Sequence, residues 1–172
     1  MAESLREYGP FLDPHRILVF NYKAATLYFG AGSYEICIDY LKKIIDQPAD
    51  YMRSDLQCYA RLLHLIAHYE LGNFDIIDSL TRSVYRYMAR MENLTIIEEE
   101  MFKFLRKTFY VKATVIKNEF GAFLKTIKQY EKDRFETRAF AYLDIVSWVE
   151  SKVYGKTLGQ VLQEKYRNSP HR

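Results

Sequence analysis

Residues 29–45 read FGAGSYEICIDYLKKII. Gly30 and Gly32 end one helix, and Ser33 takes the N-cap position of the next. Beyond Tyr34, apolar or small residues fall at Cys37, Ile38, Leu41, Ile44 and Ile45, which is the spacing of a helix with one apolar face. Forty residues on, Gly32-Ser33-Tyr34 recurs as Gly72-Asn73-Phe74, and Ile77, Asp78, Thr81, Val84 and Tyr85 follow at the same offsets. Each turn is preceded by a tyrosine-bearing helix, LYFGAG at 27–32 and HYELG at 68–72. A fainter third copy is Asn118-Glu119-Phe120, followed by Phe123, Leu124 and Ile127.

Helix boundaries extend outward from these turns. Asp13-Pro14 supplies an N-cap and a proline at the first helical position, starting a helix that runs to about Phe29. The next covers 34–46. Ser54 and Gln57 form the pattern of a capping box and open a third helix, which stops near Leu71-Gly72. Asn73 caps a fourth, reaching about Met91. Further capping boxes are read at Thr95/Glu98, Asp133/Glu136 and Thr157/Gln160. They imply helices at 96–110, about 119–131, 135–153 and a short one at the end. Seven glycines and four prolines are few, and no period-two alternation survives. The expected fold class is all-α.

The helix faces sort into two kinds. The segment 15–29 is apolar nearly all round, and so is 56–71, whereas 74–91 has one stripe of Ile77, Leu80, Val84, Met88 and Met91 opposite Asp75, Arg82 and Arg86. Doubly covered helices alternating with singly covered ones are what stacked hairpins require. The glycine turn with an aromatic two residues later resembles the tetratricopeptide repeat. That resemblance implies about three antiparallel hairpins: repeat 1 at 14–47, repeat 2 at 54–91 and a degenerate repeat 3 at 95–132. An N-terminal segment 1–13 and C-terminal helices at 134–167 would cap the two ends. The tail RAFAYLDIVSWVESKVYGKTLGQVLQEKY is similar to the ends of long, repeat-rich Bacteroidetes proteins, which implies a C-terminal module of a longer chain.

With 172 residues, 49% apolar and 27% charged, the chain is long enough to bury roughly 70% of its unfolded surface. No signal-peptide pattern and no run of about 18 apolar residues is present. Cys37 and Cys58 lack any paired spacing, so buried thiols in a reducing, cytoplasmic setting are expected. Net charge is +3, made up of −1 over residues 1–91 and +4 over 92–172. The basic stretch 103–138 interleaves cations with aromatics, and weak binding of nucleic acid or another anionic surface through it is the alternative function.

Candidate chemistry is sparse. His64 and His68 share a helix face, but HLIAH lacks the glutamate that a zinc peptidase needs, and no third ligand stands nearby. Both read as part-buried core histidines. Cys37 sits where the resembled family places a small packing residue. Asp75 with Asp78, and Glu98–Glu100, lie near helix N-termini, where they complement the macrodipole. No catalytic, cofactor or metal residue is expected. What the resemblance does imply is a concave groove lined by the first helix of each repeat, either open to a ligand or filled by the domain's own third hairpin. In this chain its positions are Val19, Tyr22, Thr26 and Phe29, then Tyr59, Leu62, Ile66, Tyr69 and Glu70. The polar clamp with which some members grip a terminal carboxylate is absent, since Tyr22, Thr26 and Leu63 occupy the corresponding places. The expectation is a non-enzymatic interaction scaffold that binds a peptide or partner helix on an aromatic face, with homodimerisation as a further possibility.

Overall fold

A computed structural model describes residues 13–47, 53–131, 133 and 142–169, and among them the ordered elements are eight α-helices with no strand. They are α1 (Pro14–Gly30), α2 (Tyr34–Ile45), α3 (Ser54–Glu70), α4 (Phe74–Arg90), α5 (Ile96–Thr108), α6 (Ala113–Lys128), α7 (Ile145–Tyr154) and α8 (Leu158–Asn168). Each helix packs on the next along the chain, and α1 also meets α3. The fold class is all-α, as the helix signals require.

The two glycine turns are built alike. Gly32 and Gly72 take left-handed φ values of 77° and 71°. In the first, the N–H groups of Gly32 and Ser33 reach back to the carbonyls of Phe29 and Tyr28 at 3.0 and 2.9 Å. In the second, Gly72 and Asn73 reach those of Tyr69 and His68, both at 3.1 Å. This pair of bonds satisfies carbonyls that the helix end leaves open. A third such ending follows α4, where Glu92 and Asn93 donate to Ala89 and Met88 at 3.1 and 3.0 Å. There the left-handed residue is Glu92, with φ 50°. A side chain in that conformation costs about 1 kcal/mol. Glu92→Gly is therefore expected to raise stability by about 1 kcal/mol and Gly72→Ala to lower it by about as much, both measured by urea unfolding.

Where local capping controls a helix start, the expected residues perform it. Asp13 accepts from the His15 N–H at 3.1 Å. Glu98 accepts from the Thr95 N–H at 2.8 Å, and Thr157 and Gln160 bond reciprocally at 2.9 and 3.2 Å. Elsewhere the side chains have other engagements. The Ser54/Gln57 box does not form, because Gln57 Nε2 donates to Ile44 O at 2.7 Å and Arg61 Nη2 to Ile45 O at 3.2 Å. Both α3 side chains thus close the C-terminus of α2, whose carbonyls attract donors and positive charge. Ser33 and Asn73 stand at N-cap positions without a side-chain capping bond.

Two boundaries need correcting. Asn118-Glu119-Phe120 is not a turn but lies within α6, where Phe120, Phe123, Leu124 and Ile127 are buried on one continuous face. The chain turns at 109–112 instead. The helix expected over 135–153 does not run unbroken. Leu143 and Asp144 are non-helical, and Asp144 caps a fresh start by accepting from the Ser147 N–H at 2.9 Å. Glu136 of the Asp133/Glu136 box, and residues 1–12 of the N-terminal cap segment 1–13, lie outside the described residues.

The core is centred on α3, where Leu62, Leu63, Leu65, Ile66 and Ala67 are fully buried. On α4 the buried stripe is Ile77, Thr81, Val84 and Met88, with Arg82 paired to Asp78 on the outer side. The first helix is covered less completely than its apolar sequence suggests, since Leu18, Val19 and Phe20 are half-buried and Leu27 is exposed.

Candidate functional site

The nine positions expected to line a groove separate into two sets. Tyr59, Leu62 and Ile66 are wholly buried, so of the two alternatives, an open groove or a filled one, these three positions offer no surface to a partner. The chain's own C-terminal segment covers part of this surface. The Tyr142 ring stacks on Tyr59 with centroids 4.5 Å apart and planes 8° from parallel. The Tyr59 hydroxyl points inward and donates to Glu98 Oε1 at 3.1 Å. Farther along α3, Tyr69 meets the rings of Phe74, Phe109, Phe120 and Trp148. Glu70 accepts from Trp148 Nε1 at 2.7 Å and from the Lys152 ammonium. It also hydrogen-bonds Tyr34, whose pKa is raised by burial and then by that carboxylate. Tyr69 and Glu70 therefore hold α7 in place.

Val19, Tyr22, Thr26 and Phe29 remain together, on one wall of an open cleft of about 430 Å³. Arg53 and Leu56 at the start of α3, residues 142–144 ahead of α7, and Leu158 and Leu162 of α8 form the rest of the lining. Tyr22 and Phe29 are buried and make its floor, while Val19 and Thr26 are half-exposed and Lys23 forms an exposed rim. A volume of this size, mostly apolar with a few polar groups, is typical of a small-ligand or side-chain pocket.

Most of the polar groups here are already committed to each other. Arg53 Nε pairs with Asp55 Oδ1 at 3.0 Å, and its Nη1 is 3.1 Å from His15 Nε2. The Tyr142 hydroxyl donates to Asp55, and the Tyr22 hydroxyl donates to the Tyr142 carbonyl at 2.9 Å. Burial opposes ionisation of Asp55, but hydrogen bonds from Tyr142 and Arg53 outweigh it and hold the carboxyl below its usual range. Burial pushes Tyr22 the other way, so its phenol stays protonated. The second Asp144 oxygen accepts from Ser147 Oγ at 2.6 Å. This arrangement can bind and orient a ligand.

Other candidates take structural places. Cys37 is buried, and burial pushes its thiol up to about 12, so the thiolate needed for nucleophilic chemistry does not form near neutral pH. No group of three possible metal ligands occurs among the described residues. The His64 and His68 rings lie edge to face, centroids 4.5 Å apart, and His68 Nδ1 is 2.9 Å from the Asn73 amide. His64 Nε2 is buried without a partner. Burial, then His68, Lys42 and Arg61, lower the His64 pKa to about 4. Because the folded value lies below the ordinary one of about 6.5, unfolded chains bind the proton first. Stability is complete above pH 6.5 and falls as pH drops through that value towards 4. His64→Leu should flatten this limb, seen as a smaller loss of Tm between pH 7 and pH 4.5 than in the unaltered chain.

In the basic stretch, Phe102 and Phe104 are core residues, while Lys103 pairs with Glu100 at 2.7 Å and Lys107 with Glu119 at 2.6 Å. Of its described aromatics only Tyr110, 86% exposed, faces water fully. No helix of the described residues is long and apolar enough to cross a membrane. The opposite wall of the cleft was not readable from sequence, since residues 142–144 and α8 carry no signal that they face α1. Set against known proteins, the chain matches no family model, no curated protein and no solved structure.

Proposed function

We propose that the chain is a non-enzymatic, tetratricopeptide-like interaction module that recognises a partner through the cleft between α1 and α8. The observation that carries this reading is the division of the groove: its first four positions line an open, largely apolar cavity, while Tyr59, Leu62 and Ile66 are buried in the core. Volume narrows the partner. One turn of a helix with its side chains, about 10 Å across and 5.4 Å long, fills on the order of 400 Å³. The cleft therefore takes one or two anchoring side chains of an extended peptide, not a helix laid along its length. Val19 and Thr26, both half-exposed, offer contact surface above a floor of Tyr22 and Phe29 whose packing keeps it rigid.

A phage-displayed library of random twelve-residue peptides, selected on the intact chain, tests this. Selected peptides should share an apolar or aromatic anchor and bind Thr26→Trp, which fills the cleft, at least about tenfold more weakly, as expected for loss of a buried anchor. Leu27→Trp, on an exposed position outside the cleft, should bind as the unaltered chain does. Equal binding by Thr26→Trp, or no enrichment at all, would refute the reading.

A further inference from the structure

We infer that the peptide seated in the cleft carries acidic side chains beside its apolar anchor, and that Lys23 and Arg16 select for them. The inference rests on the cleft being the recognition surface and adds the chemistry of what it recognises. Three charged residues line the cavity, Lys23, Arg53 and Asp144. The Arg53 guanidinium is balanced by Asp55, which also accepts from Tyr142. Both Asp144 oxygens face Ser147 at the start of α7, where a carboxylate complements the helix N-terminus. Lys23 remains, exposed at the rim and with no ion pair among the described residues.

Arg16 extends the same edge. It stands seven residues before Lys23, two helical turns away, so both cations lie on one face of α1, and Arg16 too is exposed. Their separation along the axis is about 10 Å, at 1.5 Å per residue. An extended peptide covers that distance in about three residues. Across the cleft the α8 wall presents Leu158 and Leu162, and the α8 carboxylate Glu164 is engaged by Lys156 at 2.7 Å. The rim thus offers positive charge along α1 and apolar surface along α8. A matching segment has its anchor pointing into the cleft and aspartate or glutamate within about three residues of it.

Selection with the same displayed library on Lys23→Glu is the test, because internal peptide residues present side-chain carboxylates without a free C-terminus. On the intact chain, Asp and Glu should be enriched within three residues of the anchor. On Lys23→Glu the anchor should persist while the flanking preference turns to Lys and Arg. A resynthesised acidic peptide should bind Lys23→Glu about fivefold more weakly, the range of an exposed ion pair, and the difference should shrink as salt is raised. Identical flanking residues in both selections would overturn the inference while leaving the cleft as the site. An anchor that binds Thr26→Trp undiminished would overturn the cleft itself.

Discussion

Replacing Trp148 with alanine should lower stability by about 4 kcal/mol, at the upper end for loss of a buried aromatic side chain. The indole is 1% exposed and meets Tyr69, Phe104 and Phe120 edge-on, with centroids 5.6–6.4 Å away. Offset contacts of this kind add to the area term. Deleting the ring also removes the Nε1–H that Glu70 accepts at 2.7 Å, leaving a carboxylate only 6% exposed with one donor fewer. Trp148→Phe keeps most of the packing and loses only that bond. It should cost about 2 kcal/mol, a value ordinary for a hydrogen bond to a charged group. Urea unfolding followed by circular dichroism measures both, since the fluorescent probe itself is deleted. A loss below about 1 kcal/mol for alanine would mean that α7 is not seated on α3.

Glu98→Ala is the second large effect, expected at about 3 kcal/mol. The side chain is fully buried at the start of α5. One oxygen accepts from the Thr95 N–H and hydroxyl and the other from the Tyr59 hydroxyl, so the residue closes a cap and joins α5 to α3. Loss of the cap accounts for about 1 kcal/mol. The rest comes from weakening the hydrogen bonding of a buried tyrosine hydroxyl and from the small cavity left behind. Glu98→Gln retains an acceptor for the capping box and should cost about 1 kcal/mol. The contrast between the two variants separates a polar joint from simple filling of space. Equal losses would argue that only volume matters at this position.

Features set by neighbours in sequence were the legible ones. Asp13, the Thr95/Glu98 pair and the Thr157/Gln160 pair act within three residues, so their roles follow from spacing. The matched turns at Gly32 and Gly72 were readable because glycine is the ordinary solution to a left-handed helix end. The same turn at Glu92 was hidden by a residue that tolerates the conformation at some cost. Asn118 misled in the opposite sense, as a turn-forming residue inside a helix whose continuous apolar face overrides its propensity. Gln57 was read as a cap for its own helix, yet a partner thirteen residues away holds its amide.

The candidate site divides along the same line. The register of the resembled repeat named Val19, Tyr22, Thr26 and Phe29 together, and the structure has them on one wall of the cleft. That Tyr142 would lie on Tyr59, or that Trp148 would reach Glu70 from 78 residues away, depends on how the last helices return across the molecule. No local pattern encodes that return. Tyr69 and Glu70, named as groove positions, have partners within the same chain, in Trp148, Lys152 and the rings around Tyr69.

Tryptophan fluorescence of the intact protein bears most directly on whether the C-terminal segment fills the second part of the groove, because Trp148 is the only tryptophan in the chain. Emission shifted to the blue, with acrylamide quenching far weaker than that of free tryptophan, is the expected result in native buffer, both properties becoming solvent-like in urea. Solvent-like emission and full quenching under native conditions would contradict a groove closed by α7, and with it the assignment of recognition to the cleft beside α1.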